Sequence, residues 1–371
     1  MWLEELCLEN FCNFSNASTL FGRAVNILFG ENAQGKSNLV DAISYLALMR
    51  GVRGLSDVNV VRFGTRGFVV RGVFAFGAGV ERECRIEYTL EEGKRCTLDG
   101  DATVRRADLL GHFPVVIMSG DDYRITWGGP YERRRFMDLF LCQASMRYLD
   151  DLRRYTATLR QRNALLRSQV EPGSGQMSAW TEQLVEYGIR LMAARSNFVA
   201  AIGKLLNTYF STIVGSSRAL TVTYMPSVRQ DEDKPIREVF LHRLKGMAPR
   251  EKELGATLVG PHRDDIAIKI DGRDLRQFGS RGDHKAVLIS LRLAEHALMR
   301  NFRLETPIFL MDDLLVDLDH KRSANLARLF PDDTQVIFTT TAPEAWRIMG
   351  LEASSFQYFI IQNGQIAQAR V

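Results

Sequence analysis

The stretch that decides the fold is AVNILFGENAQGKSNLVDAI, residues 24–43. Its first six residues are mostly apolar and β-branched, which is typical of a buried parallel strand. After Lys36, apolar residues recur at the spacing of one helix face, at Leu39, Ile43 and Leu46. Between the strand and the helix lies the pattern Gly-x-x-x-x-Gly-Lys-Ser, which matches a phosphate-binding loop, or P-loop. The stretch therefore predicts an α/β fold that binds a nucleotide.

The residue types in this loop suit the binding of phosphate groups. Gly30 and Gly35 permit backbone conformations that let the loop approach a phosphate closely, and the N–H groups at the helix start then point at the anion. We expect Lys36 to reach the β- and γ-phosphates and Ser37 to hold Mg²⁺ through its hydroxyl. The predicted nucleotide-binding residues are Gly30, Glu31, Asn32, Ala33, Gln34, Gly35, Lys36, Ser37 and Asn38. The alternative is a strand–turn–helix without a ligand.

An acidic segment, PIFLMDDLLVDLD at residues 307–319, has the pattern that completes such a site. Its apolar residues predict another buried strand, and Asp312 and Asp313 follow directly. We expect Asp312 to hold Mg²⁺, directly or through water, and Asp313 to orient or deprotonate the attacking water. Lys36 and Asp313 are thus the predicted catalytic residues. The alternative is a pair of solvated aspartates. A further strand, residues 334–341, is expected near the γ-phosphate.

The distance between the two motifs indicates a large insertion. Asp312 follows Ser37 by 275 positions, whereas both motifs of small kinases and GTPases lie in one compact sheet. Between them, the alternation in residues 69–99 predicts antiparallel strands, and the pattern becomes helical from about residue 130 to residue 211. The predicted ATP-binding lobe comprises residues 1–120 and 255–371, and the mainly helical lobe inserted into it comprises residues 121–254.

Composition and charge place the chain among ordinary globular proteins. Of its 371 residues, 46% are apolar and 25% are charged, and the formal net charge is +4. This small excess permits an acidic partner such as nucleic acid but does not require one. The N-terminus lacks a signal-peptide pattern, and no apolar run reaches the roughly 18 residues of a membrane span. Five scattered cysteines predict reduced thiols rather than disulfides or a zinc site, so we expect a cytoplasmic protein.

Regularly spaced arginines mark a helical segment of the inserted part, DLRRYTATLRQRNALLR at residues 151–167. Three leucines stand seven positions apart and an arginine follows each of them, at Arg153, Arg160 and Arg167. One interpretation is an amphipathic helix whose arginines border the core. The other is a basic edge that contacts DNA phosphates. Both interpretations also apply to Arg134, the middle residue of a run of three arginines.

The segment GPHRDD, residues 260–265, resembles the catalytic loop of protein kinases only superficially. A kinase needs Asn five positions after the Asp, where this chain has Lys269, and it also needs an Asp-Phe-Gly motif that the sequence lacks. A metal site from one His and two Asp is a weak alternative. We predict a turn that leads into a strand and places His262 or Arg263 near a partner or the nucleotide.

The segment FGSRGD, residues 278–283, precedes a long helical run. A Ser-x-Gly sequence at a helix start, about 30 residues before the acidic strand, is typical of ABC-type ATPases. In those proteins the serine and the backbone N–H groups contact the γ-phosphate that is bound to the opposite subunit of a dimer. Ser-x-Gly is a weak signal alone, but its position and order strengthen it. The predicted residues of this trans signature are Ser280, Gly282 and Asp283.

With these motifs the chain resembles the RecF family, bacterial ATPases of the ABC/SMC type that act in recombinational repair. The resemblance covers nearly the whole length. Its carriers are LCLENFCNF, GENAQGKSNLVDAI, GGPYERRRFMD, LRQRNALL, GPHRDD, FGSRGD and FLMDDLLVDLD. The chain has a compact helical block where SMC heads have a long coiled coil.

The resemblance implies a function in DNA repair, recombination and replication. ATP with Mg²⁺ would drive two heads into a homodimer that acts as a clamp on duplex DNA at single-strand gaps. The partner RecR, with RecO, would help to load RecA during the response to DNA damage, including the SOS response. Slow, weakly DNA-stimulated ATP hydrolysis would reset the clamp. The candidate DNA contacts are Arg53, Arg134, Arg153 and Arg160.

Some positions depart from the family pattern. Asp283-His284 stands where Gln or Glu and a polar residue are usual, and Val316-Asp317 stands where Ser-Glu is usual. Only Arg53 remains of the Ser-His-Arg that follows the first helix in the family. Two other hypotheses remain open: a non-hydrolysing, ATP-dependent adaptor that recruits a protein partner, and a small-molecule P-loop kinase.

Overall fold

A computed structural model describes residues 1–102, 109–168, 174–231, 233–302, 305–313, 329–348, 351–352 and 355–369. The chain divides into two compact units. Unit 1 comprises Met1–Tyr123, Thr208–Ser217 and Lys285–Val371, and unit 2 comprises Arg124–Asn207 and Arg218–His284. The Val316-Asp317 step of the acidic segment lies outside the described residues.

The regular elements are numbered in chain order among the described residues. The strands are β1 Trp2–Phe11, β2 Phe14–Leu20, β3 Val25–Phe29, β4 Gly67–Ala75, β5 Glu81–Thr89, β6 Gly93–Leu98, β7 Asp101–Ala102, β8 Val115–Met118, β9 Leu220–Met225, β10 Asp265–Ile270, β11 Arg273–Asp274, β12 Ile308–Met311, β13 Val336–Thr340, β14 Phe356–Gln362 and β15 Gln365–Ala369. The helices are α1 Lys36–Leu48, α2 Asp57–Val60, α3 Tyr123–Trp127, α4 Pro130–Ala144, α5 Met146–Arg167, α6 Gly175–Val214, α7 Ile236–Leu254, α8 Leu275–Phe278, α9 Arg281–Phe302 and α10 Ala345–Ile348.

One sheet of unit 1 is antiparallel, in the order β2-β1-β4-β5-β6-β7. Alternate residues of β4 are buried, among them Phe68, Val70 and Phe74, because successive side chains of a strand point to opposite faces. The alternation that predicts antiparallel strands over residues 69–99 is thereby confirmed. Helix α1 packs against this sheet through contacts with β1, β4 and β5.

The other sheet of unit 1 has the order β15-β14-β3-β13-β12-β8. All neighbouring pairs are parallel except β14 with β15. Strand β13 lies between β3, which leads into the P-loop, and β12, which leads into Asp312. Since the carboxyl ends of parallel strands meet at one edge of a sheet, this order brings the loops that follow the three strands together.

Unit 2 combines helices with a three-stranded antiparallel sheet, in the order β11-β10-β9. Six residues of β10 pair with β9, so residues 255–284 cluster with the helical part. The sequence-based boundary at residue 254 thus differs from the observed one, because strand pairing distant in sequence leaves no local signal. Among the described residues, no helix combines the length and the apolar character needed to cross a membrane.

Candidate nucleotide-binding site

The P-loop lies between β3 and α1 and has the backbone that its glycines predict. Gly35 has a φ of 118°, a conformation that side chains rarely adopt. At Gly30, a Cβ atom would lie 2.4 Å from the carbonyl oxygen of Ile361 on β14. The loop therefore excludes a side chain at Gly30, and its backbone sits directly against the neighbouring strand. Glu31, Asn32 and Ala33 are exposed at its tip.

Lys36 is buried at the start of α1, with 5% of its surface exposed. Its Nζ donates hydrogen bonds to the carbonyl oxygens of Gly30 at 2.7 Å and Glu31 at 2.8 Å. Burial lowers the pKa of Lys36, while the nearby charges of Asp313 and Asp312 oppose that shift. An anion bound in the loop would lie next to this ammonium group. Such an anion would stabilise the buried cation through charge-assisted hydrogen bonds.

Ser37, Asp312 and Thr339 form a hydrogen-bonded cluster at the carboxyl edge of the parallel sheet. The Ser37 hydroxyl donates to Asp312 Oδ1 at 3.0 Å, and the Thr339 hydroxyl donates to the same oxygen at 2.8 Å. Burial raises the pKa of Asp312, and the two hydroxyl hydrogen bonds lower it in part. A hydroxyl and a carboxylate are hard oxygen ligands of the kind that Mg²⁺ prefers. These side chains therefore fit a magnesium ion.

Asp313 adopts a left-handed backbone conformation, with a φ of 55°. Its backbone N–H donates to the Thr339 hydroxyl at 2.8 Å, and the residue is exposed. Thr339 thus holds both aspartates, since its single hydroxyl binds the Asp312 carboxylate and the Asp313 backbone. The sequence predicts the strand of Thr339 near the site but does not distinguish this residue from its neighbours. The three threonines after an apolar run were the available signal.

A turn distant in sequence supports the other side of the P-loop. Gln34 Oε1 accepts a hydrogen bond from the Asn363 N–H at 2.7 Å, and the Gln34 carbonyl oxygen accepts one from the Asn13 side chain at 2.8 Å. Asn38, one residue after Ser37, donates to the Asn13 side chain at 2.8 Å. Neither Asn13 nor Asn363 lies in a motif with a known spacing from the loop, so the sequence does not point to either residue.

The trans-signature residues lie at the start of α9, in unit 2. Ser280 precedes the helix and forms a capping box with Asp283: its hydroxyl accepts from the Asp283 N–H at 3.1 Å, and the Asp283 carboxylate accepts from the Ser280 N–H at 3.0 Å. Gly282 lies in the first turn. The predicted helix start is therefore confirmed, and Ser280 is exposed.

Asp283 is held by a cation as well as by the helix start. Arg218 forms an ion pair with its carboxylate, and Arg218 also pairs with Asp271. Burial alone would raise the pKa of Asp283, but the Ser280 N–H and the Arg218 guanidinium lower it below its ordinary value. A cavity of about 340 Å³ lies beside this pair, and exposed Phe278 is part of its lining.

The predicted DNA contacts differ in their surroundings. Arg153 and Arg160 are exposed on α5. Arg134 is half-buried, and its Nη1 donates to the Asp264 carbonyl oxygen at 2.7 Å. Arg53, in unit 1, donates from Nε to Asp41 at 2.6 Å and keeps a 39% exposed side chain. Arg133, which precedes Arg134 in the run of three arginines, is buried and pairs with Asp265, so Arg133 is structural.

The GPHRDD segment is a junction within unit 2. His262 pairs through Nδ1 with the Tyr155 hydroxyl at 2.6 Å and through Nε2 with the Thr257 carbonyl oxygen at 2.9 Å. Asp264 is buried and accepts hydrogen bonds from the Tyr224 hydroxyl and the Ser227 N–H. Both ring nitrogens of His262 are therefore occupied, which leaves exposed Arg263 as the residue of this segment that can meet a partner.

Comparisons with known proteins agree with this geometry. A family model described as the RecF/RecN/SMC N terminal domain matches residues 2–364. The DNA replication and repair protein RecF of Streptococcus equi subsp. zooepidemicus (strain MGCS10565) is 34% identical over 369 residues, which cover 99% of this chain and 98% of the relative. The protein of the same name from Streptococcus pneumoniae (strain CGSP14) is 32% identical over 367 residues and covers 99% of both chains.

Solved structures show the same likeness. A structure of the recombination mediator protein RecF-ATP in the RecFOR pathway gives a TM-score of 0.90 at 30% identity, covering 99% of this chain and 97% of that one. An SMC head bound to the C-winged helix domain of ScpA gives a TM-score of 0.57 at 15% identity, covering 100% and 98%; that likeness shows the fold alone. The predicted P-loop fold of the ABC-type ATPase head is thereby confirmed. The chain belongs to the RecF family, within the RecF/RecN/SMC group of proteins.

Proposed function

We propose that this protein is an ATP-dependent DNA-binding protein of recombinational repair and replication. The observation that carries the proposal is the cluster of Lys36, Ser37, Asp312 and Thr339, which unites a buried cation with a set of magnesium ligands. The relatives named DNA replication and repair protein RecF support the cellular role. A solved relative in complex with ATP supports the nucleotide.

The chain's own residues suggest how ATP is bound and cleaved. The N–H groups of the P-loop and Lys36 bind the phosphates, and Ser37 and Asp312 hold Mg²⁺. The metal neutralises charge on the phosphate oxygens when it is bound. Asp313 orients the attacking water or accepts its proton, and Thr339 anchors the Asp313 backbone and the Asp312 carboxylate. Hydrolysis proceeds slowly and ends the ATP-bound state.

ATP also acts as the link between two copies of the chain. The γ-phosphate bound by Lys36 and Ser37 needs donors on its open side. Ser280 and the first N–H groups of α9 in a second copy supply them, so the closed dimer requires ATP. Gly282 keeps the helix start accessible. Hydrolysis removes the γ-phosphate, and the two copies separate.

Duplex DNA at single-strand gaps is the proposed ligand of the dimer. Arg153 and Arg160 are the most suitable contacts, because both are exposed and stand seven residues, or roughly 10.5 Å, apart on α5. Arg53 and Arg134 remain candidates with weaker support, since each already binds a neighbouring residue. The proposed protein partners are RecR, with RecO, and RecA in the same pathway.

One observation favours the alternative, a non-hydrolysing adaptor. The Asp283 carboxylate already accepts hydrogen bonds from the N–H and hydroxyl of Ser280, which are the groups that would contact a γ-phosphate. A negative charge there opposes tight closure and slows hydrolysis. The Asp313→Asn variant separates the two functions. We expect it to prolong the lifetime of the ATP-bound dimer, whereas an unchanged lifetime would favour the adaptor.

The decisive experiment is fluorescence anisotropy of a labelled gapped duplex, titrated with the protein at fixed salt. It is run without nucleotide, with ADP, and with a slowly hydrolysed ATP analogue and Mg²⁺. We expect tight binding with the analogue alone, and loss of that binding in Lys36→Ala. Equal binding under all three conditions would show that nucleotide does not control DNA contact, and the adaptor would then be the better function.

A further inference from the structure

Two side chains, those of Asn38 and Asn13, connect Arg53 to the P-loop through three consecutive hydrogen bonds within unit 1. Arg53 Nη2 donates to Asn38 Oδ1 at 2.6 Å. Asn38 Nδ2 donates to Asn13 Oδ1 at 2.8 Å, and Asn13 Nδ2 donates to the Gln34 carbonyl oxygen at 2.8 Å. The chain thus begins at a partly exposed cation and ends on the backbone of the phosphate-binding loop.

The direction of this chain is determined at both ends. A guanidinium can only donate, and a carbonyl oxygen can only accept. Asn38 must therefore present its oxygen to Arg53 and its amide N–H to Asn13, and Asn13 must present its N–H to Gln34. If either amide were reversed, two of the three hydrogen bonds would be replaced by contacts between like groups. The chain is consequently either complete or broken, rather than gradually weakened.

Asn13 also occupies the space that shapes the loop. A Cβ atom on Gly35 would lie 2.7 Å from Asn13 Nδ2 and 2.8 Å from its Oδ1. The backbone of Gly35, at a φ of 118°, therefore packs directly against the Asn13 amide. Gln34 and Gly35 precede Lys36, so a shift of the Asn13 side chain moves the part of the loop that sets the position of the Lys36 ammonium group.

Arg53 has a second anchor that holds it at the start of the chain. Its Nε donates to Asp41 Oδ2 at 2.6 Å, and Asp41 is buried, with 1% of its surface exposed. Asp41 Oδ1 also accepts a hydrogen bond from the Val52 N–H at 2.6 Å. The ion pair fixes the guanidinium next to Asn38, while 39% of the Arg53 side chain stays exposed. A ligand outside the protein can therefore reach it.

From this arrangement the geometry points to Asn13 as a positioning residue of the nucleotide site. In the same arrangement, the Asn13–Asn38 pair couples Arg53 to the P-loop. This inference rests on the proposed binding of ATP at this loop.

A double-mutant cycle on the full-length protein tests the coupling. Affinity for a slowly hydrolysed ATP analogue with Mg²⁺ is measured by calorimetry for Asn13→Ala, Arg53→Ala and the double variant. We expect affinity losses of about tenfold for Asn13→Ala and about threefold for Arg53→Ala, as single hydrogen bonds suggest. Because Arg53 acts through Asn13, the double variant should lose no more than about tenfold.

Asn38→Ala breaks the hydrogen-bond chain at its middle residue. This variant tests the inference even if Asn13→Ala does not fold. In an Asn38→Ala background, Arg53→Ala should leave nucleotide affinity unchanged, since the connection is already broken. A role of these residues in folding alone would not abolish the effect of Arg53 in this way. The inference is overturned if the losses from Arg53→Ala and Asn13→Ala multiply, or if Arg53→Ala has the same effect with and without Asn38.

Asn16→Ala is the matched control. Asn16 is exposed on β2, three residues from Asn13, and its side chain makes no hydrogen bond to any part of the chain that the structure describes. We expect it to bind the analogue like the unchanged protein. If the unchanged protein binds no analogue, the proposed function fails. If it does and the cycle shows independent effects, only the coupling through Asn13 and Asn38 fails.

Discussion

At the scale of single residues, one hydroxyl group organises the acidic part of the site. Thr339 donates to the Asp312 carboxylate and accepts from the Asp313 N–H. Asp312 can therefore stay in place for a metal ion while Asp313 keeps its left-handed backbone. The strand order places Thr339 there, since β13 lies between β3 and β12. Thr339 can thus influence the proposed hydrolytic step through the two aspartates.

Thr339→Val should lower the rate of ATP hydrolysis about tenfold and change nucleotide affinity by less than about threefold. The substitution keeps the side-chain volume but removes the hydroxyl that holds both aspartates. Single-turnover hydrolysis and analogue binding measure the two effects separately. Thr340→Val is the control, because Thr340 is equally buried but accepts from the Ala342 N–H instead. A rate equal to that of Thr340→Val would show that Thr339 has no such role.

Two arginines on α5 that stand two positions apart have opposite environments. Arg162 is buried and binds Glu251 and Thr257, each at 2.7 Å, whereas Arg160 is exposed. Arg162→Ala leaves the Glu251 carboxylate buried without its cation, so we expect a loss of about 3–5 kcal/mol in the free energy of unfolding. Arg160→Ala should change it by less than about 0.5 kcal/mol. Chemical denaturation of both variants is the measurement, and equal losses would contradict the assignment.

At the scale of elements, buried ion pairs and hydrogen bonds connect α4, α5 and α7 with the small sheet of unit 2. Arg133 on α4 pairs with Asp265 on β10, and Arg162 on α5 pairs with Glu251 on α7. His262, just before β10, pairs with Tyr155 on α5. Unpaired charges in such a place would cost several kcal/mol each. Unit 2 therefore depends on correct pairing between elements.

Burial lowers the pKa of His262 from 6.5 to about 4. The ring is neutral in the folded protein: its Nε2 donates to the Thr257 carbonyl, so Nδ1 accepts from Tyr155. Between pH 6.5 and 4, His262 is mostly protonated in the unfolded chain but mostly neutral in the folded protein. Stability is therefore complete above about pH 6.5 and falls on acidification, by at most about 1.4 kcal/mol per pH unit for this group.

His262→Gln should flatten the dependence of unfolding free energy on pH between 7 and 5, which denaturant titrations at several pH values measure. Exposed His242→Gln is the control and should leave the slope unchanged. His296 is buried with a pKa also lowered to about 4, so part of the slope should remain in the His262 variant. A slope identical to that of the unchanged protein would show that protonation of His262 is not coupled to unfolding.

At the scale of the whole molecule, the proposed dimer depends on Ser280, which is exposed and directly precedes α9. In that dimer, Ser280 of one copy lies opposite the nucleotide that is bound to the other copy. Ser280→Arg should leave analogue binding by a single copy within about threefold of the unchanged protein, since the proposal assigns Ser280 to the nucleotide bound by the other copy. It should abolish analogue-dependent dimerisation, because a bulky cation then occupies the contact. Calorimetry and analytical ultracentrifugation give the two values. A variant that still dimerises with the analogue would contradict the trans role.

The sequence alone was sufficient for the features that depend on local pattern. A strand, a glycine loop and a helix follow each other within residues 24–43, so the motif can be recognised without knowledge of any distant residue. The same holds for the acidic pair at the end of β12 and for the capped start of α9, because caps and strand ends are determined within a few residues. These segments also carry the likeness to the RecF family.

Only the tertiary structure decided which distant side chains meet. Thr339 joins the acidic pair because β13 pairs between two other strands, and Asn13 reaches the P-loop from 21 positions earlier in the chain. The periodicity of α5 does not separate buried Arg162 from exposed Arg160, because burial depends on whether another element provides a partner. Strand pairing and the pairing of buried charges involve residues far apart in sequence, so a local sequence pattern does not predict which residues pair.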